Sequence, residues 1–248
     1  KIFMIFNKIA LKKGSKKLIN AWAFYDWANS VYSLVISSAI FPIYYGLIFS
    51  EINFISFFGY QIKNTAVISF ITAFAFVVVA FMSPILSGIA DYIGNKKRFM
   101  KIFVYIGSIS CLGLYWFELQ TIYLGLFFYF FALIGLWASL VFYNSYLPDI
   151  AYPDQQDIAS ARGFSYGYIG SVILLLINLM IIMNPNSFGI EGSSSEASMT
   201  AMKYSFVSVG IWWALFSQYS FYFLPKSNRE VKVTKDIFWN GYKELKSV

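Results

Sequence analysis

The chain has 248 residues, 19 of them Lys or Arg and 12 Asp or Glu, for a formal charge of +7; 58% are hydrophobic and 21% aromatic. So few charges cannot cover a soluble domain of this length, and so many aromatics exclude a disordered chain. Histidine is absent and Cys111 is the single cysteine, which excludes His-based catalysis, His–metal sites, an intrachain disulfide and a zinc ribbon.

Long charge-free runs then set the expected elements. A transmembrane helix needs about 20 apolar residues, whereas a barrel strand needs about 10 with in/out alternation. Runs such as Leu174–Ile177 and Phe76–Ala80 do not alternate. The reading is therefore an all-α polytopic membrane protein with six transmembrane helices, near 22–49, 65–89, 99–117, 121–144, 163–183 and 202–224. Residues 1–20 form a basic cytoplasmic or interfacial segment and 21–225 the six-helix bundle. Residues 226–248, with Ile237, Phe238, Trp239, Tyr242 and Leu245 among lysines, suit an amphipathic interfacial helix. The stretch 184–198, rich in Ser and Gly, is expected as a mobile external loop, and Glu118 as a solvated residue in a short turn.

The lysines decide the orientation. In a six-span arrangement, 17 of the 19 basic residues fall on one side, leaving only Lys63 and Lys203 on the other. The positive-inside rule makes the rich side cytoplasmic, with both ends of the chain on it, in a cell (inner) membrane. The basic clusters then serve topology and anionic headgroups rather than nucleic acid.

Three stretches carry more specific information. The connection between helices two and three reads Ser87-Gly88-Ile89-Ala90-Asp91-Tyr92-Ile93-Gly94-Asn95-Lys96-Lys97-Arg98. Helix one opens on Ala21-Trp22-Ala23-Phe24-Tyr25-Asp26-Trp27-Ala28-Asn29-Ser30. Helix four closes on Asn144-Ser145-Tyr146-Leu147-Pro148-Asp149-Ile150-Ala151, and helix five starts Gly163-Phe164-Ser165-Tyr166-Gly167-Tyr168-Ile169-Gly170-Ser171. The first stretch resembles the signature loop of the major facilitator superfamily. It departs at Ser87, where that loop has glycine, and at Tyr92 and Asn95, where it has basic residues. The other three, in order, resemble the branch containing bacterial relatives of the autophagy-related vacuolar amino-acid effluxer.

The resemblance implies half of a major-facilitator fold, itself a 3+3 inverted repeat, and secondary active transport of a small solute by alternating access, with amino acids as the class suggested by analogy. Its partners would be the solute, the bilayer and a C-terminal six-helix half absent from this sequence. The chain is thus expected to be an N-terminal half, with no cofactor. Gly88, Asp91, Gly94, Lys96, Lys97 and Arg98 would form a cytoplasmic gate.

Read from the residues alone, Asp26 is the ionisable group nearest the interior of any span, with Asn29, Ser30 and Ser33 at near-helical spacing. Asp26, Asn29, Ser30 and Asn144 are candidate solute or proton contacts; the other reading of Asp26 is an interfacial anchor between Trp22 and Trp27. In the four–five loop, beside Pro148, Asp149 would cap the start of helix five or pair with Arg162. Gly163, Gly167, Gly170 and Ser171 present one small-residue packing face. A non-transporting scaffold assembling through such faces is the alternative function. An enzyme is not expected, because paired ionisable groups at one depth, a nucleophile and metal ligands are all lacking.

Overall fold

The structure, a computed structural model, describes residues 11–93 and 95–225, without the side chains of 89–93. The first half of the expected basic segment, 1–10, and the whole of the expected amphipathic segment, 226–248, lie outside the described residues. Six long helices dominate: α1 (Lys16–Ile48), α2 (Asn64–Ile93), α3 (Lys96–Gly113), α4 (Ile122–Ser145), α5 (Pro153–Met183) and α6 (Ser194–Phe223). A two-stranded hairpin, β1 (Phe54–Phe57) and β2 (Tyr60–Lys63), precedes α2. By length and composition, α1 to α5 can each cross a membrane. The sixth helix is as long but is not among them. Its serines, tyrosines, tryptophans and Gln218 lower its hydropathy.

Two helices begin well before their apolar runs, for reasons of capping. Pro153 stands at the first position of α5, where its missing N–H costs nothing. The Tyr152 N–H donates to Gln155 Oε1 at 3.1 Å, and Asp154 and Asp157 lie in the first turns, toward the positive end of the helix dipole. The acidic loop expected before residue 163 is therefore helix. Likewise, Ser193 and Glu196 form a reciprocal capping box, with Ser193 N–H to Glu196 Oε2 at 3.1 Å and Glu196 N–H to Ser193 Oγ at 3.4 Å. This starts α6 at Ser194, and a 3-10 turn occupies Pro185–Phe188. The loop expected over 184–198 is thus largely ordered.

The packing scheme has internal symmetry. α1 packs on α5 and α6, α4 packs on α2 and α3, and α3 meets α6 at the back. Exchanging α1–α3 for α4–α6 maps these contacts onto themselves, as a 3+3 repeat requires. Close approach at the back depends on small residues. A Cβ added to Gly135 of α4 would lie 2.5 Å from the Gly107 backbone of α3, and one on Gly210 of α6 would lie 2.7 Å from the Ser108 carbonyl oxygen. One hydrophobic core runs through the bundle, with Trp213, Tyr25, Tyr32, Phe117 and Phe142 among its fully buried members.

The described basic residues other than Lys63 and Lys203 gather at one end. Lys13 Nζ donates to the Pro148 carbonyl at 2.6 Å, Lys96 Nζ to the Ser145 carbonyl at 3.0 Å and to Asp149 Oδ2 at 2.9 Å, and Arg162 to Asn20 Oδ1. Asp149 thus pairs with Lys96, not with Arg162. The reason is the early start of α5, which places Arg162 two to three turns along it, beside α1. Glu118, at the other end, is not merely solvated, since it forms an ion pair with Lys203.

Candidate functional site: a buried carboxylate and two clefts along one helix

The N-terminal part of α1 turns its polar residues inward. Asp26 is only 9% exposed. Its Oδ2 accepts from the Tyr143 hydroxyl of α4 at 2.9 Å, and its Oδ1 from Asn29 Nδ2 at 3.2 Å. Asn29 also donates to the Tyr25 carbonyl at 2.9 Å. Further bonds tie α1 to α4: Trp22 Nε1 to the Tyr143 carbonyl at 2.9 Å, and Tyr25 Oη to Ser139 Oγ at 2.7 Å. The Trp22 and Tyr143 rings stack at 4.3 Å. Such a network is costly to break, because each partner would be left buried and unpaired.

Glycines of α5 close the third side. A side chain on Gly163 would collide with the Asp26 carboxylate, one on Gly167 with Ser30 Oγ, and one on Gly170 with Trp27. Ser171 donates to the Gly167 carbonyl at 2.7 Å within its own helix. These four residues therefore let α5 lie directly against the polar stretch of α1. Asp26 sits within the protein at the α1–α4–α5 contact, not at an open interface.

Above this cluster, Tyr32–Ile40 of α1 is wound as a π-helix, a form frequent at functional sites. Ser38 Oγ donates to the Ser33 carbonyl at 2.8 Å, and Pro42, which has no N–H, follows directly. Two clefts flank this segment. One, of about 270 Å³, lies between α1 and α5 and is lined by Ser30, Ser33, Ser38 and Ser171 with Phe164 and Tyr168. The other, of about 630 Å³, lies between α1 and α2, where Ser37, Thr65, Ser69, Thr72, Tyr45 and Tyr129 supply hydroxyls. The Thr72 and Tyr129 hydroxyls are 3.3 Å apart.

The structure thus brings Asp26 and Asn29 together and places Ser30 at the mouth of the smaller cleft. Asn144 is not part of the cluster: it is exposed, because the helical rotation that turns Tyr143 inward turns its successor away. Tyr143, the residue that holds Asp26, carries no signal in sequence spacing. The hydroxyls of α2 do, because Thr65, Ser69 and Thr72 repeat at helical spacing on one face.

Of the expected gate, Asp91 lies in the last turn of α2 with its side chain not described, and Gly94 falls outside the described residues. Gly88 is buried in α2. Lys97 is 6% exposed and donates to the Phe221 carbonyl at 2.8 Å and to the Leu224 carbonyl. Lys96 and Lys97, adjacent in sequence, therefore satisfy the C-terminal carbonyls of α4 and α6 respectively, where positive charge is favoured. Asn95 caps α3, accepting from the Arg98 N–H at 3.3 Å, and the Arg98 side chain is exposed. Among the described residues, no three of Asp, Glu, Cys or His come together.

Comparison with known proteins agrees with this architecture. Residues 14–248 match the family model described as "Vacuole effluxer Atg22 like". The chain is 35% identical over 207 residues to an "Uncharacterized MFS-type transporter YxiO" of Bacillus subtilis (strain 168), covering 84% of this chain and 46% of that protein. It is 26% identical over 174 residues to an "Uncharacterized protein" of Aquifex aeolicus (strain VF5), covering 69% of this chain and 41% of the other. The chain therefore spans about half the length of the curated relatives it matches. No solved structure matches it significantly. A six-helix bundle with an internal repeat, a signature-like α2–α3 connection and a family match over nearly its whole length place this chain in the vacuole effluxer Atg22-like family of the major facilitator superfamily.

Proposed function

We propose that this chain forms one six-helix half of a secondary active transporter that moves a small solute by alternating access, with amino acids the first class to test. Both ends of the chain would face the cytoplasm of a cell membrane, and a second six-helix half would close the solute path. The observation that carries the proposal is the pair of clefts flanking the π-helical stretch of α1, in each of which hydroxyl groups stand among apolar walls. They place open space beside groups that can bind a polar solute within membrane-spanning helices. Asp26 supports the reading, since an ionisable group within a span is a default candidate for proton or solute coupling. Its described partners, Tyr143 and Asn29, are neutral, so a proton on Asp26 changes the charge of the α1–α4–α5 contact. The small-residue face on which assembly as a scaffold would depend is occupied inside the bundle, by α1 of the same chain.

The test is reconstitution of the full-length protein in liposomes, with pooled labelled amino acids under an imposed pH gradient and in exchange mode. Gradient-driven flux is expected in the wild type, and Asp26→Asn is expected to retain exchange while losing the gradient-driven component. Absence of flux in both modes would overturn the proposal.

A further inference from the structure

The connection between α1 and α2 is built more elaborately than a linker needs. Strands β1 and β2 pair with Phe57 opposite Tyr60. The two turn residues, Phe58 and Gly59, have φ of +49° and +85°. Two-residue turns with both φ positive ordinarily use Asn-Gly or Asp-Gly. Phe58 is the one non-glycine residue with positive φ among the described residues, and a bulky side chain there is strained. Such strain persists where the surroundings hold it, and it marks positions with a task.

Here the surroundings do hold it. Tyr123 of α4 donates its hydroxyl to the Ser56 carbonyl at 3.0 Å and accepts the Phe58 N–H at 3.3 Å. Its ring stacks on Phe57 at 5.7 Å. Yet the ring of Phe58 remains 78% exposed, so the strained residue presents its side chain outward.

That ring borders a groove of about 460 Å³ between α2 and α4, walled by Phe57, Phe70, Phe74, Phe127 and Phe130. Phe70 and Phe74 lie on the face of α2 opposite Thr65, Ser69 and Thr72, which line the polar cleft toward α1. One face of α2 is thus hydroxylated toward α1, and the opposite face is aromatic and turned away from it. Phe81, 75% exposed, continues the aromatic face down the helix. In a chain whose helices cross a bilayer, this face is continuous with the lipid-contacting surface. Tyr60 and Tyr123, both exposed at the end of that surface, suit the headgroup boundary, and Phe58 beside them suits its acyl side.

We propose that the hairpin is a bilayer anchor. Phe58 inserts at the boundary between headgroups and acyl chains, in the leaflet opposite the lysine-rich α2–α3 connection. The aromatic groove beneath it takes one phospholipid acyl chain. This does not depend on which solute, if any, is transported.

Cys111 is buried; with any cysteine of the full-length protein outside this sequence replaced by serine, a nitroxide on Phe58→Cys reports one site. Glu191→Cys, in the α5–α6 connection, is the water-facing reference. Power saturation in phosphatidylcholine–phosphatidylglycerol vesicles is expected to give Phe58→Cys collisions mainly with oxygen, and Glu191→Cys collisions mainly with a nickel chelate. Collisions of Phe58→Cys mainly with nickel would place it in water, and shielding from both reagents would mean that protein covers it; either result overturns the anchor. Phe58→Asn suits the turn and keeps the fold testable. It is expected to lose the phospholipid adduct that the wild type retains in native mass spectra. An adduct that survives the substitution, or is absent from the wild type, overturns the groove assignment.

Discussion

The tightest backbone approach at the back of the bundle is that of Gly135 to Gly107, and a single methyl group tests it. On Gly135→Ala, the new Cβ would stand 2.5 Å from both Cα and N of Gly107 and 2.8 Å from the Phe103 carbonyl oxygen. Optimal carbon separations are about 3.5–4.0 Å, so α3 and α4 must part by roughly 1 Å along their contact. No flexible side chain can yield instead, because every near atom is backbone. Overpacking of this kind typically costs about 1–3 kcal/mol, or a loss of roughly 2–12 °C in Tm at about 2–4 °C per kcal/mol for a chain of this size. Gly46→Ala is the matched control, since its Cβ would meet nothing within 4 Å. Thermal unfolding of the purified protein in one detergent, followed by intrinsic tryptophan fluorescence, measures both. A Gly135→Ala protein that melts with the wild type would refute the close α3–α4 contact and the symmetry drawn from it.

Lys97→Met removes the buried donor to the Phe221 and Leu224 carbonyls while keeping the chain length. A loss of about 1–3 kcal/mol and faster hydrogen exchange in the last turn of α6 are expected; unchanged exchange there would contradict the capping role. The Lys96–Asp149 pair is half open to solvent on the carboxylate side, with exposures of 17% and 48%. A double-mutant cycle should therefore give a coupling below about 1 kcal/mol, and a value of several would mean a drier site. Hydrogen bonds from Ser193 hold the Glu196 carboxyl below the usual glutamate range. Its folded pKa being depressed, its support for the start of α6 is present above the ordinary glutamate pKa and lost as pH falls through the lowered one. Acid should lower the protection of the Ala197–Ala201 amides in the wild type, measured as the exchange rate relative to the intrinsic rate at each pH, and Glu196→Gln should flatten that response; an identical acid response in the variant would dismiss the link.

What the sequence conveyed well was periodic or additive. Charge-free length located the helices, and the sorting of lysines put Lys13, Lys96, Lys97 and Arg162 at one end, where the structure also has them. Terminal signals are present but lie outside the apolar runs. Pro153 with Asp154, and Ser193 with Glu196, are helix starts by ordinary capping chemistry, yet both precede the hydrophobic stretch by about two to three turns. The Gly163–Gly167–Gly170 stripe was visible because its spacing is regular, whereas Gly135, which meets the Gly107 backbone, is a lone glycine in an apolar run. Tyr143 was illegible for another reason: its role depends on being 117 residues from Asp26 and 2.9 Å away. The hairpin was hidden because Phe58-Gly59 lacks the Asn or Asp that usually announces its turn.

The two arms of the internal repeat share a contact scheme but differ in how they are packed, and the difference bears on motion. α5 lies against α1 through Gly163, Gly167 and Gly170, so backbone approaches side chain without intervening bulk. Its counterpart α2, which carries no glycine before Gly88, meets α4 through large rings: Phe74 with Phe130 at 5.5 Å and Phe76 with Trp137 at 5.6 Å. The apolar window of α2 is 11% buried, against 33% for α5. Few buried contacts mean a low free energy of local displacement. The cleft beside α2, about 630 Å³, is also more than twice the one beside α5, about 270 Å³. α2 is therefore the arm expected to move within this half, widening or closing the larger cleft while α5 stays fixed to α1. Spin-label distances measured in the full-length protein from Ser33→Cys on α1 should be broader to Ala80→Cys on α2 than to Ile173→Cys on α5. Equal widths would show that the glycine-lined and the ring-lined contacts are equally stiff, and the larger cleft would then be a fixed feature of the fold.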